Sequence, residues 1–183
     1  MRFQTIALAV VILLVCICVP ATDVYLRASV RAEAAAQPES ETVRPVSGSG
    51  VHFLTTAIVH SVTPTATGLI QRSTETVDLT GDLTGRILYH PTSVIDFATQ
   101  TLVNTGHQVF SGTVLGSEPV MLHDDTFRFN IDLQTGTGTG TVNLVDRIDG
   151  PKVRCQLTVV STGMTADGNV AAEYTGECRF KNK

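Results

Sequence analysis

The sequence predicts an all-β fold: a single antiparallel up-and-down barrel of about eight strands, preceded by a signal or anchor helix and a stalk. Three observations support this. Apolar and polar side chains alternate in short segments, Gly, Pro, Asn and Asp separate the segments, and two cysteines near the C-terminus fit one hairpin. A β-sandwich is the alternative, because alternation alone does not distinguish a closed sheet from two packed sheets.

Residues 1–21 carry the three parts of a secretory signal. Arg2 supplies the positive segment, residues 5–19 are apolar, and Val19 and Ala21 are small residues where a signal peptidase would cut. We therefore expect an exported protein, secreted or periplasmic. An uncleaved membrane anchor is the alternative, because the apolar run approaches the ~20 residues of a membrane span if residues 21–26 are added.

Residues 22–50 are predicted to form a flexible stalk. An Ala-rich segment at 27–37 is followed by Pro38, Pro45 and a Ser-Gly repeat at 47–50. Segments of this composition bury too little apolar surface to offset the entropy lost on ordering. The folded barrel domain is therefore expected over residues 51–183.

The β pattern begins at Val51. Its clearest segment has Phe127, Phe129, Ile131 and Leu133 on one face and polar side chains on the other. The Gly-Thr alternation at 135–141 is interpreted as a wide hairpin tip, because glycines weaken strands. Strands are predicted near 51–61, 69–79, 83–90, 93–103, 107–115, 126–133, 139–148, 152–162 and 169–181.

Cys155 and Cys178 are the two cysteines that lie outside the apolar N-terminal segment. An even pair in an oxidising compartment predicts one disulfide. If the two residues face each other across an antiparallel ladder, the turn centres between Ala166 and Asp167, within a Thr-Ala-Asp-Gly segment typical of turns. The same register places apolar side chains of both strands on one face.

Charge and composition disfavour a nucleic-acid partner. The net charge is −4, the 13 basic residues are scattered, and the chain has no Trp and three Tyr. Nucleic-acid binding depends on dense basic patches, often with aromatic platforms. A membrane contact is expected only through an uncleaved N-terminal segment.

No cofactor or metal is predicted. The histidines lack the short fixed spacings of metal ligands, and Asp124-Asp125 is interpreted as a solvated loop rather than a calcium site. A hydrolase is not indicated, because no Gly-x-Ser-x-Gly motif occurs and oxidised cysteines are not nucleophiles. The five histidines are His52, His60, His90, His107 and His123.

Asp96 is the candidate for acid–base chemistry, because its neighbours in residues 93–98 are mostly apolar. A carboxyl group buried there would have a raised pKa and could exchange protons with a bound ligand. Tyr89 and His90, just before Pro91, are candidates to line the same site. The alternative is that Asp96 faces outward or pairs with an arginine such as Arg86.

Three segments resemble a known family. The stretch VDLTGDLTG at 77–85, FSGTV at 110–114, and the segment from Phe127 through the Gly-Thr alternation resemble small bacterial proteins with an allene-oxide-cyclase-like barrel. The resemblance covers about half of the predicted domain and implies an eight-stranded antiparallel barrel with a lumen. Some members of that fold are cyclases or isomerases and others steer radical coupling. It identifies no catalytic residue in this chain.

Three functions are therefore considered. The leading hypothesis is a non-catalytic barrel that binds a small, mostly apolar ligand or a partner surface. The second is a cyclase or isomerase acting on a ligand in the lumen, and the third is a structural or interaction module on a stalk. They predict, respectively, an apolar open lumen, an open lumen lined by Asp96 with a Tyr or His, and a lumen filled by side chains.

Overall fold

The computed structural model describes residues 40–181. The N-terminal segment predicted at 1–21 and the first part of the predicted stalk, 22–39, lie outside the described residues. None of the described residues belongs to a helix with the length and apolar character that a membrane crossing requires. The elements are β1 (Glu41–His52), a 3-10 helix (Leu54–Thr56), β2 (Ile58–Pro64), β3 (Gly68–Gly81), β4 (Leu83–Asp96), β5 (Thr101–Val114), β6 (Val120–Asp124), β7 (Arg128–Asp132), β8 (Gly138–Leu144), β9 (Asp146–Asp149), β10 (Val153–Met164) and β11 (Val170–Lys181).

Eight antiparallel strands close into a barrel, which confirms the predicted fold class and excludes the sandwich alternative for this part of the chain. Around the barrel the order is β3, β4, β5, β7, β8, β10, β11 and β1, and β1 pairs again with β3. Strands β2, β6 and β9 are additional to this ring; β2 pairs with β3, β6 with β5, and β9 with β6. Closure pairs most ring strands on both sides, whereas β1 pairs with β3 only over residues 48–52.

The stalk prediction was wrong for residues 41–50, which form most of β1. This strand pairs with β11 from Glu41 opposite Lys181 to His52 opposite Val170. Its Ser-Gly repeat belongs to the strand and is not a linker. Glycine at position 48 makes room for Tyr174, because a side chain there would overlap the Tyr174 hydroxyl. Composition alone does not distinguish a flexible linker from a strand whose glycines admit large neighbours.

The predicted strand break at Pro91 was also wrong, since β4 continues through it to Asp96. Pro91 lacks an N–H, and the pairing of β4 with β3 is interrupted there, between Thr92 and Tyr89. On the other side Gly106 lies opposite Pro91 in β5. The chain reverses instead at residues 97–100. The segment predicted at 93–103 is therefore divided between the end of β4 and the start of β5, and the segment predicted at 107–115 is the rest of β5.

Three further details differ from the predicted strands. The segment predicted at 51–61 is split, because β1 ends at His52 and a 3-10 helix separates it from β2. Strand β6 was not predicted; with β7 it forms an interrupted strand along one side of β5. The Gly-Thr alternation is a hairpin tip only as far as Thr137, and its last glycines belong to β8. A side chain at Gly140 would overlap the Phe129 ring, so glycine there makes room for an aromatic residue.

The C-terminal hairpin follows the predicted register. Cys155 lies opposite Cys178, their Cα atoms are 4.1 Å apart, and a disulfide joins them. The chain turns at residues 165–169, where the Thr165 carbonyl accepts a hydrogen bond from the Gly168 N–H. The pairing shifts between Ser161 and Gly163, a bulge that the pattern did not predict.

The two ends of the barrel differ. At one end, which we call the closed end, apolar side chains fill the interior completely. At the other, the open end, lie the hairpin turns at 97–100, 133–137 and 165–169. The fully buried apolar side chains at the closed end are those of Leu83, Phe110, Val114, Leu122 and Leu144, together with both cysteines.

Candidate functional site

A cavity of about 400 Å³ occupies the barrel lumen. It opens to solvent at the open end, because Leu54 and Met164 line it and are 42% and 63% exposed. Its floor includes Leu79 and Tyr174, which rest on the packed closed end. Volumes of ~300–1,000 Å³ are typical of small-molecule sites, so the lumen has the dimensions of a binding pocket.

One side of the lumen, which we call the apolar wall, is built by β7, β8, β10 and the segment just before β7. The alternation that the sequence showed in residues 126–133 points the aromatic and aliphatic side chains of this segment inward. The wall offers a continuous apolar surface to a ligand. Its lining residues are Phe127, Phe129, Ile131, Val142, Leu157 and Val159.

The facing side carries polar residues in two cross-strand rows. Nearer the mouth lies the upper polar row, Gln71, Ser93 and Asn104, on β3, β4 and β5. Deeper lies the lower polar row, Glu75, Tyr89, Gln108 and Asp124, on β3, β4, β5 and β6. Antiparallel partners lie side by side on one face of a sheet, so each row forms a continuous band of hydrogen-bonding groups.

The lower polar row is fully hydrogen-bonded. Tyr89 donates its hydroxyl hydrogen to Glu75 Oε2 at 2.7 Å, and Ser73 donates to Glu75 Oε1 at 2.5 Å. His52, which β1 brings to the lumen, has its Nε2 2.5 Å from Glu75 Oε2 and 2.5 Å from the Tyr89 hydroxyl. Gln108 donates to Asp124 Oδ2 at 2.8 Å.

Burial and hydrogen bonding act in opposite directions on Glu75. Burial raises the pKa of its carboxyl group, but the hydrogen bonds from His52, Ser73 and Tyr89, with the attraction to His52, outweigh burial and leave the pKa lowered. Burial, followed by the nearby Glu75 charge and hydrogen bond, raises the pKa of Tyr89 well above its usual value. The cluster therefore holds a charged carboxylate beside a phenol that keeps its proton.

The structure separates the three residues predicted for acid–base chemistry. Tyr89 lines the lumen, whereas His90 points to the outer surface, as expected for the next residue in a strand. His90 Nδ1 lies 2.9 Å from the Thr74 hydroxyl. Of the predicted acid–base residues, only Tyr89 is part of the lumen.

Asp96 does not line the cavity, and the expected raised pKa was wrong. Its Oδ1 accepts hydrogen bonds from the N–H groups of Ala98 at 2.8 Å and Thr99 at 3.1 Å. The hydrogen bond from the Thr99 N–H lowers the pKa of this carboxyl group, burial raises it, and further bonds from Thr67, Ala98 and the Thr99 side chain leave the pKa lowered. Asp96 therefore caps the turn between β4 and β5. Arg86 pairs with Asp78, not with Asp96.

The other histidines and Asp124, which the sequence analysis considered as metal ligands, contact neighbouring protein groups. Among residues 40–181, no three His, Cys, Asp or Glu side chains converge as metal ligands would. His107 and His123 stack at 5.8 Å between ring centroids. Asp124 is buried rather than solvated, and it accepts hydrogen bonds from Thr126 and from the Asn143 N–H, so it joins β6 to the segment before β7 and to β8.

Glu75, His52 and the upper polar row were not found from the sequence. A signal for two of them was present: the inner face of β3 carries Leu69, Val77 and Leu79, and Gln71 and Glu75 fall on the same period. Polar residues on an otherwise apolar face indicate a lumen or a buried network. His52 had no such signal, because its segment was assigned to the start of the domain rather than to the end of a strand.

Comparisons of this chain with protein-family models, with curated proteins and with solved structures gave no match. The site is therefore interpreted from its own geometry.

Proposed function

We propose that this protein is an exported β-barrel that binds a small, mostly apolar molecule in its lumen. The observation that carries the proposal is the open cavity of about 400 Å³ between an apolar wall and a polar band. Small-molecule sites combine predominantly apolar linings with a few placed polar groups. A concave pocket of this kind encloses a small molecule better than it fits the surface of a partner protein.

The cavity argues against the interaction-module hypothesis, which expects a lumen filled by the protein's own side chains. Protein interiors are close-packed, and voids much larger than a water molecule are few. A void lined by aromatic and aliphatic side chains leaves those groups without contacts on one side. A ligand that fills it restores the contacts and removes apolar surface from water.

Export is part of the proposal. Disulfides persist in oxidising compartments and are rare in the cytosol, and the bond between Cys155 and Cys178 supports a secreted or periplasmic protein. The predicted signal at residues 1–21 points the same way, with the uncleaved anchor as the alternative.

The proposed kinship with allene-oxide-cyclase-like barrels stays a prediction. A closed eight-stranded antiparallel barrel with a lumen is the fold that the resemblance implies, and this supports it. Because one fold hosts many functions, we take no activity from the resemblance.

The cluster of His52, Glu75 and Tyr89 favours a second candidate, an isomerase or cyclase. A buried carboxylate that holds a histidine is an arrangement used for general-base catalysis. In the simplest isomerisation, His52 takes a proton from one carbon of the ligand, the electron pair shifts along the ligand, and the proton returns to another carbon. The composition of the ligand is unchanged, so no co-reactant is needed.

The binding proposal is tested by native mass spectrometry of the full-length chain purified after export. We expect a bound small molecule in the wild type, and its loss in Ala172→Phe, because Ala172 lines the lumen and a phenyl ring there takes up part of the space and narrows it. The matched control is Ala171→Phe, the neighbouring residue in β11, which is not among the residues that line the lumen and is expected to keep the molecule. Equal retention in both variants would place the molecule outside the lumen.

The same material distinguishes binder from isomerase. The released molecule is incubated with fresh wild-type protein and with His52→Gln, and its isomers are separated by chromatography. A binder returns the molecule unchanged. Conversion by the wild type but not by the variant to a product of equal mass would favour the second candidate.

A further inference from the structure

The upper polar row has unused hydrogen-bonding capacity. Gln71 lies opposite Ser93, and Ser93 lies opposite Asn104, so the three side chains are adjacent across three strands. All three line the cavity. Ser93 and Asn104 are only 6% and 9% exposed, so little water reaches them.

The lower polar row is held together by side-chain hydrogen bonds. Within residues 40–181, the side chains of the upper polar row take no part in them. Asn104 Oδ1 is a buried oxygen with no hydrogen-bond partner. Leaving a buried polar atom unpaired is unfavourable, and such atoms in native proteins call for an explanation. The partner that the row lacks is one that enters from the cavity.

The surroundings restrict the charge of that partner. None of the described residues that line the cavity is Lys or Arg, and the charged lining groups are Glu75, Glu173 and, when protonated, His52. An anion would lose its hydration without a free positive partner. A cation would find the Glu75 oxygens already accepting from Ser73, Tyr89 and His52.

The apolar wall restricts the rest of the partner. Asn104 lies directly opposite Phe129 in the pairing of β5 with β7, so the upper polar row ends where the apolar wall begins. A molecule seated in the lumen therefore meets hydrogen-bonding groups on one side and aromatic and aliphatic groups on the other.

We propose that the Gln71–Ser93–Asn104 row binds the hydroxyl group of an uncharged, mostly apolar ligand whose body lies against the apolar wall. The ligand hydroxyl donates to Asn104 Oδ1, the unpaired acceptor, and its oxygen accepts from the Gln71 amide or the Ser93 hydroxyl. This inference rests on the proposed function and specifies its ligand class.

The test uses three probes of similar shape: 1-(2-naphthyl)ethanol, 2-ethylnaphthalene and 2-naphthoate. The first is a neutral alcohol, the second lacks hydrogen-bonding groups, and the third is an anion. Dissociation constants for the full-length chain are measured by calorimetry. We expect the alcohol to bind about tenfold more tightly than the hydrocarbon, the ratio that one good hydrogen bond supplies. The anion should bind most weakly.

Asn104→Leu removes the amide and keeps the size of the side chain. We expect this variant to bind the alcohol and the hydrocarbon equally. It should also have a higher melting temperature than the wild type, because the unpaired oxygen is gone; a residue with a purely structural role would lower it. Ser93→Ala is the second variant, and Asn130→Leu, the same change on an exposed residue of β7, is the control.

The outcomes separate the two proposals. Equal binding of alcohol and hydrocarbon by the wild type would overturn this inference and leave the lumen as a binding site. Tightest binding of the anion would overturn the uncharged class. If none of the three probes binds, the proposed function fails and takes this inference with it. Unchanged discrimination in Asn104→Leu and in Ser93→Ala would show that the row does not contact the ligand.

Discussion

At the level of single residues, Glu75 organises the polar side of the lumen. Its two carboxylate oxygens accept from Ser73 on the same strand, Tyr89 on β4 and His52 on β1. A buried charge is tolerated when it is paired and hydrogen-bonded. The carboxylate thus joins three strands around the lumen and fixes the side chains that a ligand would meet beside the upper polar row.

The lowered pKa of Glu75 predicts a loss of stability in acid. The folded carboxyl group binds a proton less readily than its unfolded counterpart, whose usual pKa is 4.5. Its contribution to stability is therefore present above that value and is lost as the pH falls through the folded pKa. Urea unfolding of the wild type at a series of pH values below 7 should show this decline.

Glu75→Gln tests the assignment, because it removes the titrating group. At pH 7 we expect the free energy of unfolding to fall by about 1–3 kcal/mol, since the amide loses charge-assisted hydrogen bonds. The variant should also lose less stability on acidification than the wild type. Glu118→Gln, an exposed glutamate, is the control and should follow the wild type at every pH. Identical acid profiles for wild type and Glu75→Gln would contradict the assignment.

At the level of elements, the sequence predicted best where several independent signals agreed. In the hairpin of β10 and β11, apolar alternation, turn residues and the cysteine pair all specified one register, and the structure has that register. In residues 41–50 the composition indicated a linker, yet the segment is a strand. The contacts that stabilise it come from β11 and β3, which are distant in sequence and cannot be seen in local composition.

The candidate site was less predictable than the fold, for a physical reason. The alternation of side chains along a strand predicts that Tyr89 and His90 face opposite sides of the sheet. It does not predict which side encloses the lumen. Asp96 illustrates the same difficulty: its apolar neighbours suggested burial, whereas its position at the end of β4 makes it a turn cap. The polar cluster depends on cross-strand neighbours such as Glu75 and Tyr89, which are 14 residues apart in the chain.

The disulfide gives a prediction for the hairpin as an element. It joins residues separated by 23 positions, and in the chain-entropy model a bridge over such a loop stabilises the fold by about 3 kcal/mol. The double variant Cys155→Ala/Cys178→Ala should lose about this much in urea unfolding. Reductant should lower the stability of the wild type and leave the double variant unchanged. If reductant does not change the free energy of unfolding of the wild type, and the double variant is equally stable, the disulfide does not contribute to stability.

At the level of the whole molecule, the barrel combines a packed end with an open one. Strand β5 runs through both: Phe110 and Val114 are fully buried at the closed end, whereas Leu102 lines the cavity near the open end. Both halves of β5 are paired on both sides, with β4 throughout and with β7 or β6. A difference in local stability along this strand would therefore come from interior packing, not from missing strand partners.

Native-state hydrogen exchange measures that difference. We expect the amides of residues 108–114 to exchange at least about tenfold more slowly than those of residues 101–105, after correction for intrinsic rates, because local opening is easier where fewer apolar contacts are broken. A ligand in the lumen stabilises the state that binds it, so saturation with 1-(2-naphthyl)ethanol should slow exchange in residues 101–105 more than in 108–114. Uniform protection along β5 without ligand would mean that the cavity does not weaken the open end. The division of the barrel into a rigid closed end and a ligand-stabilised open end would then be wrong.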